Sequence, residues 1–324
     1  MACWIVLPAS SGVPRSVPAA DIPADEFGLI DRFFSHLDSG PDVTLGVGDD
    51  AALLKLASGE TLAVSVDTVV EGRHFPPGSN GDLVMFRAVA AAASDLAAMG
   101  ARPLGMTLAV SLPVVNEDWL QACRRGLESA VQQFSLPLVG GDVTRGPLTL
   151  SVQVMGAVRS PLRRDGARPG DRLYVTASLG DAAAGLAVCE GRLRVSSPLA
   201  EVLRERFWRP QPDLDLGQRL AAVATAGIDI SDGLIADAGH LARSSGVGLR
   251  IDSAALPLSA SLLDAVPREQ ALTWALTGGD DYVLCFTAPS AAVLPEGVHC
   301  IGEVIAGAGV ECDMLTNATG YRHF

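Results

Sequence analysis

The chain has 324 residues and a formal net charge of −13, from 37 Asp and Glu against 24 Lys and Arg. That length exceeds what one hydrophobic core usually serves, so two domains are expected, and the acidic balance argues against a nucleic-acid or anionic-membrane surface. Hydrophobic residues make up 48% of the chain, yet no uninterrupted apolar run reaches membrane-spanning length. Only one of the 24 cations is a lysine, Lys55, and it sits in neither a Walker A loop nor a kinase-type strand context. Six scattered cysteines without a CxxC pair imply reduced thiols and a cytoplasmic protein.

Residues 1–24 hold four prolines among Ser and Ala and predict a disordered leader. In Asp25 to Leu37, apolar residues at Phe27, Ile30, Phe33, Phe34 and Leu37 mark a helix face. Two short apolar runs follow. Val43, Leu45 and Val47 end at Gly48, Asp49 and Asp50; Leu62 to Val66 ends at Asp67. They predict neighbouring strands that bring acids to one edge. Next come a helix over Leu83 to Met99 capped by Asp82, a strand over Leu104 to Leu112, and a helix over Asn116 to Phe134 capped by Asn116. Strand Leu136 to Val139, the turn Gly140-Gly141-Asp142 and strand Leu148 to Val158 complete the first half.

The polar segment Ser160 to Arg172, with two prolines and two glycines, reads as a domain boundary. The expected division is a leader 1–24, an N-terminal domain 25–159 and a C-terminal domain 160–324. Beyond the boundary the pattern predicts strand Leu173 to Thr176 and helices over Leu179 to Cys189, Leu199 to Phe207 and Leu214 to Ala224. DISDG, Asp229 to Gly233, opens a helix over Leu234 to Ser244. Strand Leu249 to Ile251, helices between 259 and 274, the turn TGGDD at 277–281, strand Tyr282 to Thr287 and a short sheet tail finish the chain. The fold class is α/β (α+β), with mixed sheets flanked by helices.

Chemistry concentrates in the acids. A single Gly-Asp is an ordinary turn, but here carboxylates recur beside small residues and apolar strands at Asp50, Asp67, Asp95, Asp142, Asp229, Asp232, Asp280 and Asp281. Close like charges need a cation between them, and an oxygen-only set without a Cys or His cluster suits magnesium bridging to phosphate rather than zinc. GVGDDA loosely matches a dinucleotide loop, but two adjacent acids oppose pyrophosphate binding and no helix follows. Arg163, Arg164 and Arg168 read either as a phosphate clamp or as a solvated linker. His74 reads as a structural hydrogen-bonder or a ligand.

Together, EFGLIDRFF, GVGDDAALL, SVDTVVEGRHF, SDLAAMGARP, LVGGDVTRGPL, RRDGARPGD, DISDGL and GGDDYVLCF resemble the thiamine-monophosphate kinase family. That family lies in the superfamily that includes aminoimidazole ribonucleotide synthetase. The resemblance runs from about Glu26 to Phe324. It implies a two-domain fold of that type, transfer of the ATP γ-phosphate to thiamine monophosphate, and a homodimer joined sheet to sheet through its N-terminal domains. It also implies an active site in the cleft between domains.

Carried over by position, Asp50, Ser65, Asp67, Asp95, Asp142, Asp229 and Asp232 hold magnesium, joined by the backbone of Val66. Gly141, Asp142, Arg164 and Ser231 meet ATP, with Asp142 and Arg164 as the catalytic pair. His74, Asp280 and Tyr321 face the thiamine phosphate. The chain departs from the pattern with Val66 for Thr, Ala92 for Asn and Asp280 for Glu. A related ATP-dependent synthetase and a metal- and nucleotide-binding dimer without turnover are the alternatives.

Overall fold

The computed structural model describes residues 29, 32–34, 36–37, 40–46 and 52–314. The expected leader, most of the first helix, and Asp49, Asp50 and Tyr321 lie outside the described residues. The chain divides into two compact units. One takes in the described residues up to Ala92 together with Pro103–Ala157; the other takes in Ala93–Arg102 and those from Val158 onward. No helix among the described residues is long and apolar enough to cross a membrane.

In the first unit, β1 (Val43–Leu45) and β2 (Leu53–Leu54) form an antiparallel ribbon with Val43 opposite Leu54. The run expected to lie beside β1 is instead β3 (Thr61–Val70), which belongs to another sheet. It also does not end at Asp67. The β-branched Thr68, Val69 and Val70 prolong the extended chain. Helix α1 (Gly81–Ala98) is apolar all round and nearly every residue in it is buried. Its cap is Asn80, whose Oδ1 accepts from the Asp82 N–H at 3.0 Å, so Asp82 lies in the first turn and is not the cap.

β4 (Arg102–Leu112) and α2 (Glu117–Phe134) match the expected pattern, and Asn116 caps α2 by accepting from the Trp119 N–H at 3.0 Å. β5 (Leu138–Arg145) and β6 (Thr149–Val158) complete a sheet ordered β3-β6-β4-β5, with β4 and β5 parallel. Its core is built from Leu104, Met106, Leu108, Leu150, Val152 and Val154, with Leu120, Cys123, Leu127 and Phe134 buried on α2.

The second unit is built on a six-stranded mixed sheet. Its strands are β7 (Arg172–Val175), β8 (Ala226–Asp229), β9 (Gly248–Ile251), β10 (Leu284–Ala288), β11 (His299–Ile305) and β12 (Gly309–Cys312). The order is β12-β9-β11-β7-β10-β8; only β12 and β9 pair in parallel among the pairings described here. Helices α3 (Asp181–Cys189), α4 (Ser197–Trp208), α5 (Leu214–Leu220), α6 (Leu234–Ser245), α7 (Ala260–Ala265) and α8 (Arg268–Thr277) connect them. Leu173, Val175, Ile228, Leu234, Leu241, Leu249, Leu276 and Ile301 form one core; Ala184, Leu203, Leu262 and Ala271 gather α3, α4, α7 and α8 into a second. Strand β8 was not expected, and α5 stops four residues short of Ala224, where the chain turns toward β8.

Candidate active site

In the first unit, alternation along β3 places Ser65 and Asp67 on its more enclosed side with Val69, while Val66 is 60% exposed on the opposite side. The Val66 side chain therefore faces away from the two oxygen-bearing residues, and only its backbone shares their strand. His74 follows in the turn after β3. Its Nδ1 accepts from the Val70 N–H at 3.0 Å and its own N–H returns to the Val70 carbonyl at 3.0 Å. His74 thus makes a structural hydrogen bond through Nδ1, which leaves Nε2 as the ring nitrogen able to donate.

Gly140, Gly141 and Asp142 do not form a turn after a strand. They lie inside β5, in register with Thr107, Leu108 and Ala109 of β4. Asp142 is exposed. Gly141 is needed by the sheet itself: a Cβ there would stand 2.0 Å from the Leu108 carbonyl oxygen, in the backbone of β4.

In the second unit, Asp95 is partly buried near the end of α1. Its neighbour Ser94 is fully buried and donates its hydroxyl to Asp229 Oδ2 at 2.8 Å. Asp229 is buried at the end of β8, opposite Leu284 of β10. Just beyond it, the N–H groups of Ser231 and Asp232 both donate to Asp237 Oδ2 at 3.0 Å. Burial, then the charges of Asp229 and Asp232, push the Asp237 carboxyl up to about 7 against the lowering effect of those two N–H groups.

The TGGDD turn is bonded to this loop. Asp280 donates its N–H to the Ser231 carbonyl, and Tyr282 donates to that of Ile230, both at 2.8 Å. Gly279, Asp280 and Tyr282 all have positive φ, of 67°, 63° and 51°. A Cβ on Gly279 would stand 2.4 Å from the Ser231 carbonyl oxygen. A tyrosine in this region is costly and persists only where its surroundings fix it. These conformations delay the expected strand from Tyr282 to Leu284. Asp281 accepts from the N–H groups of Gly180 and Ala182, at 2.8 and 3.3 Å, at the start of α3. The residue keeps some exposed surface, but its carboxyl is enclosed, and that burial raises it to about 8.

Arg164 is exposed, and its carbonyl accepts from the Ser245 hydroxyl at 2.7 Å. Arg164 and Asp232 both act on His240: burial first, then Arg243 and Arg164, hold this imidazole below its ordinary value, while Asp232 opposes them. Arg163 is tied to Asp165 at 2.6 Å.

Among the described residues no three His, Cys, Asp or Glu side chains converge as a ready metal cage. Carboxylate and hydroxyl oxygens, here carried by β3, β5, α1, the end of β8 and the loop after it, suit magnesium, which binds through one or two carboxylates and completes its shell with water and phosphate. A cavity of about 680 Å³ opens elsewhere in the second unit, lined by Arg172, Arg250, Cys300, Glu303 and Glu311, and carries none of the predicted residues. Its two arginines are already paired with Glu303 and Glu311. Sequence reasoning missed Ser94 and Asp237; a lone serine among alanines and an acid inside a helix give little signal.

Residues 48–158 match the AIR synthase related protein N-terminal domain, and residues 168–313 match the corresponding C-terminal domain. The thiamine-monophosphate kinase of Escherichia coli K12 is 47% identical over 318 residues, covering 92% of this chain and 98% of that protein. The chain belongs to the thiamine-monophosphate kinase family. A crystal structure of thiamine-monophosphate kinase from Stenotrophomonas maltophilia K279a is 42% identical, with a TM-score of 0.80 over 88% of this chain and 95% of that one. The structure described as AaThiL complexed with AMPPCP and TMP is 33% identical, with a TM-score of 0.79 over 92% of this chain and 97% of that one.

Proposed function

We propose that this member of the thiamine-monophosphate kinase family transfers the γ-phosphoryl group of ATP to the phosphate of thiamine monophosphate, giving thiamine diphosphate and ADP. The observation that carries this reading is the near full-length likeness to a relative described in complex with AMPPCP and TMP. An acceptor phosphate oxygen attacks the γ-phosphorus in line, and the bond to the β–γ bridging oxygen breaks as ADP leaves. The acceptor is already an anion, so no strong base is required. The obstacle is repulsion between two polyanions, and the chain's work is to position them.

Asp50, Ser65, the Val66 backbone, Asp67, Asp95, Asp142, Asp229 and Asp232 are the oxygens we assign to magnesium. Magnesium bound there would neutralise phosphate charge and orient the reacting oxygens. Gly141, Asp142, Arg164 and Ser231 are assigned to ATP, with Asp142 and Arg164 carrying catalysis; His74, Asp280 and Tyr321 are assigned to the acceptor. Residues 25–159 and 160–324 are assigned as the two domains, with dimerisation in the first. Free thiols at Cys123, Cys189, Cys285, Cys300 and Cys312 fit a cytoplasmic setting.

The test is ADP release with thiamine monophosphate, set against thiamine and nucleoside monophosphates, with thiamine diphosphate identified as the product. ADP release with thiamine monophosphate alone is expected. Equal release with another acceptor would redirect the assignment to a related synthetase, and ATP binding without release would leave a binding protein.

Asp280 is one methylene shorter than glutamate, so a bridging water can restore the contact at an ordering cost of at most about 2 kcal/mol. Asp280→Ala is expected to raise KM for thiamine monophosphate far more than KM for ATP, whereas Asp280→Glu is tolerated. If Ala lowers only the melting temperature, Asp280 is a loop residue outside the acceptor site.

The homodimer is assigned to β3. Leu62, Val64 and Val66 occupy successive outward positions of this edge strand and are 44%, 51% and 60% exposed, a surface that isolated monomers seldom leave uncovered. Sedimentation is expected to give twice the 33.5 kDa chain mass at micromolar concentration, and Val64→Asp to shift the protein to monomer. A native monomer under those conditions overturns the assignment.

A further inference from the structure

Asp237 has no place among the residues assigned to metal, nucleotide or acceptor, yet the loop that carries two of them is built around it. It is 3% exposed, near the start of α6, with one carboxylate oxygen accepting from both Ser231 and Asp232. Two adjacent peptide groups are thereby turned toward one side chain. On the other side of the same loop, the Ser231 carbonyl accepts from Asp280 and the Ile230 carbonyl from Tyr282.

We propose that Asp237 is the positioning residue for nucleotide and divalent cation, fixing the Ser231–Asp232 peptides so that the Ser231 hydroxyl and Asp232 carboxylate are presented in one orientation. The proposal deepens the functional reading above and rests on it. Asp237 does its work through the backbone of its neighbours, as groups behind metal ligands commonly do. Burying a carboxylate is costly unless it is hydrogen-bonded, and Asp237 is held by two N–H groups of this one loop. A helix that needed only a cap would be served by an exposed Asp, Ser or Asn at its first residue.

The test uses the full-length protein with Asp237→Leu, which keeps the volume and removes the acceptor, and Asp237→Asn, which keeps an oxygen able to accept both N–H groups. Half-saturating Mg²⁺ and KM for ATP are expected to rise about tenfold or more in the Leu variant and to stay within about threefold of native in the Asn variant. KM for thiamine monophosphate is expected to move little in either, because Tyr282 still ties the acceptor loop to Ile230. A Leu variant with a lowered melting temperature but native Mg²⁺ and ATP constants overturns the proposal, leaving Asp237 a stabilising residue only. Amide hydrogen exchange on the native protein is the second measurement. Ser231 and Asp232 are expected to be protected, and exchange at the rate of free peptide at both would overturn the proposal even if the Leu variant fails to fold. Absence of turnover in the native chain would remove the kinase reading, while exchange and magnesium–nucleotide binding would still decide the role of Asp237.

Discussion

Asp142→Asn is expected to lower kcat by about 10³-fold, the scale seen when one preorganised electrostatic contact to a transition state is lost, while the melting temperature stays within a degree or two of native. The side chain is exposed in the middle of β5 and nearly isosteric with its replacement, so no core cavity opens and no buried group loses a partner. What changes is one unit of negative charge in the proposed magnesium and ATP set. Rates compared at ordinary and at tenfold higher Mg²⁺ separate weakened binding from lost catalysis. A near-native kcat at ordinary Mg²⁺ would remove Asp142 from the mechanism.

One residue earlier, the expected signature is the reverse. Gly141→Ala would place a Cβ 2.0 Å from the Leu108 carbonyl oxygen and 2.8 Å from its carbon, both in the backbone of β4. A side chain could rotate away, but a paired strand must move. The expected cost is about 3 kcal/mol, at the upper end for an overpacked site, together with loss of turnover as Asp142 moves with its strand. Gly140→Ala is the control, since its nearest neighbour is the Thr107 methyl at an ordinary 3.7 Å. Denaturant unfolding of the two variants decides the matter: equal stability would mean that β5 yields at no cost.

The contrast between these neighbours marks how far the fold and the site could be read in the residues alone. The alternation of strands and helices was legible because β4, α2 and β6 each carry enough residues to show a period, and Asn116 announces its helix by chemistry. β8 escaped because Ala226–Asp229 is four fully buried residues, too short to alternate. Acids were legible as a recurring device but not their surroundings. Asp67 and Asp142 sit within strands where turns were expected, because Asp and Gly carry turn propensity while pairing with a neighbouring strand overrides it. Asp237 and Ser94 were invisible for a related reason: each matters through a partner brought close by the fold, Ser231 and Asp232 for one and Asp229 for the other. The strained Asp280 and Tyr282 leave no mark in composition at all.

The strand order of the six-stranded sheet bears on how the chain is made. β7 is the first of its strands to leave the ribosome, yet its two neighbours are β10 and β11, more than a hundred residues later. A nascent chain cut anywhere before Leu284 holds β7 with neither partner, and Leu173 and Val175 have no sheet in which to be buried. The second unit therefore cannot assemble from its beginning. Its helices wait for two late strands, β10 and β11, that close on either side of β7, an arrangement of distant contacts that slows folding and prolongs exposure of apolar surface during synthesis.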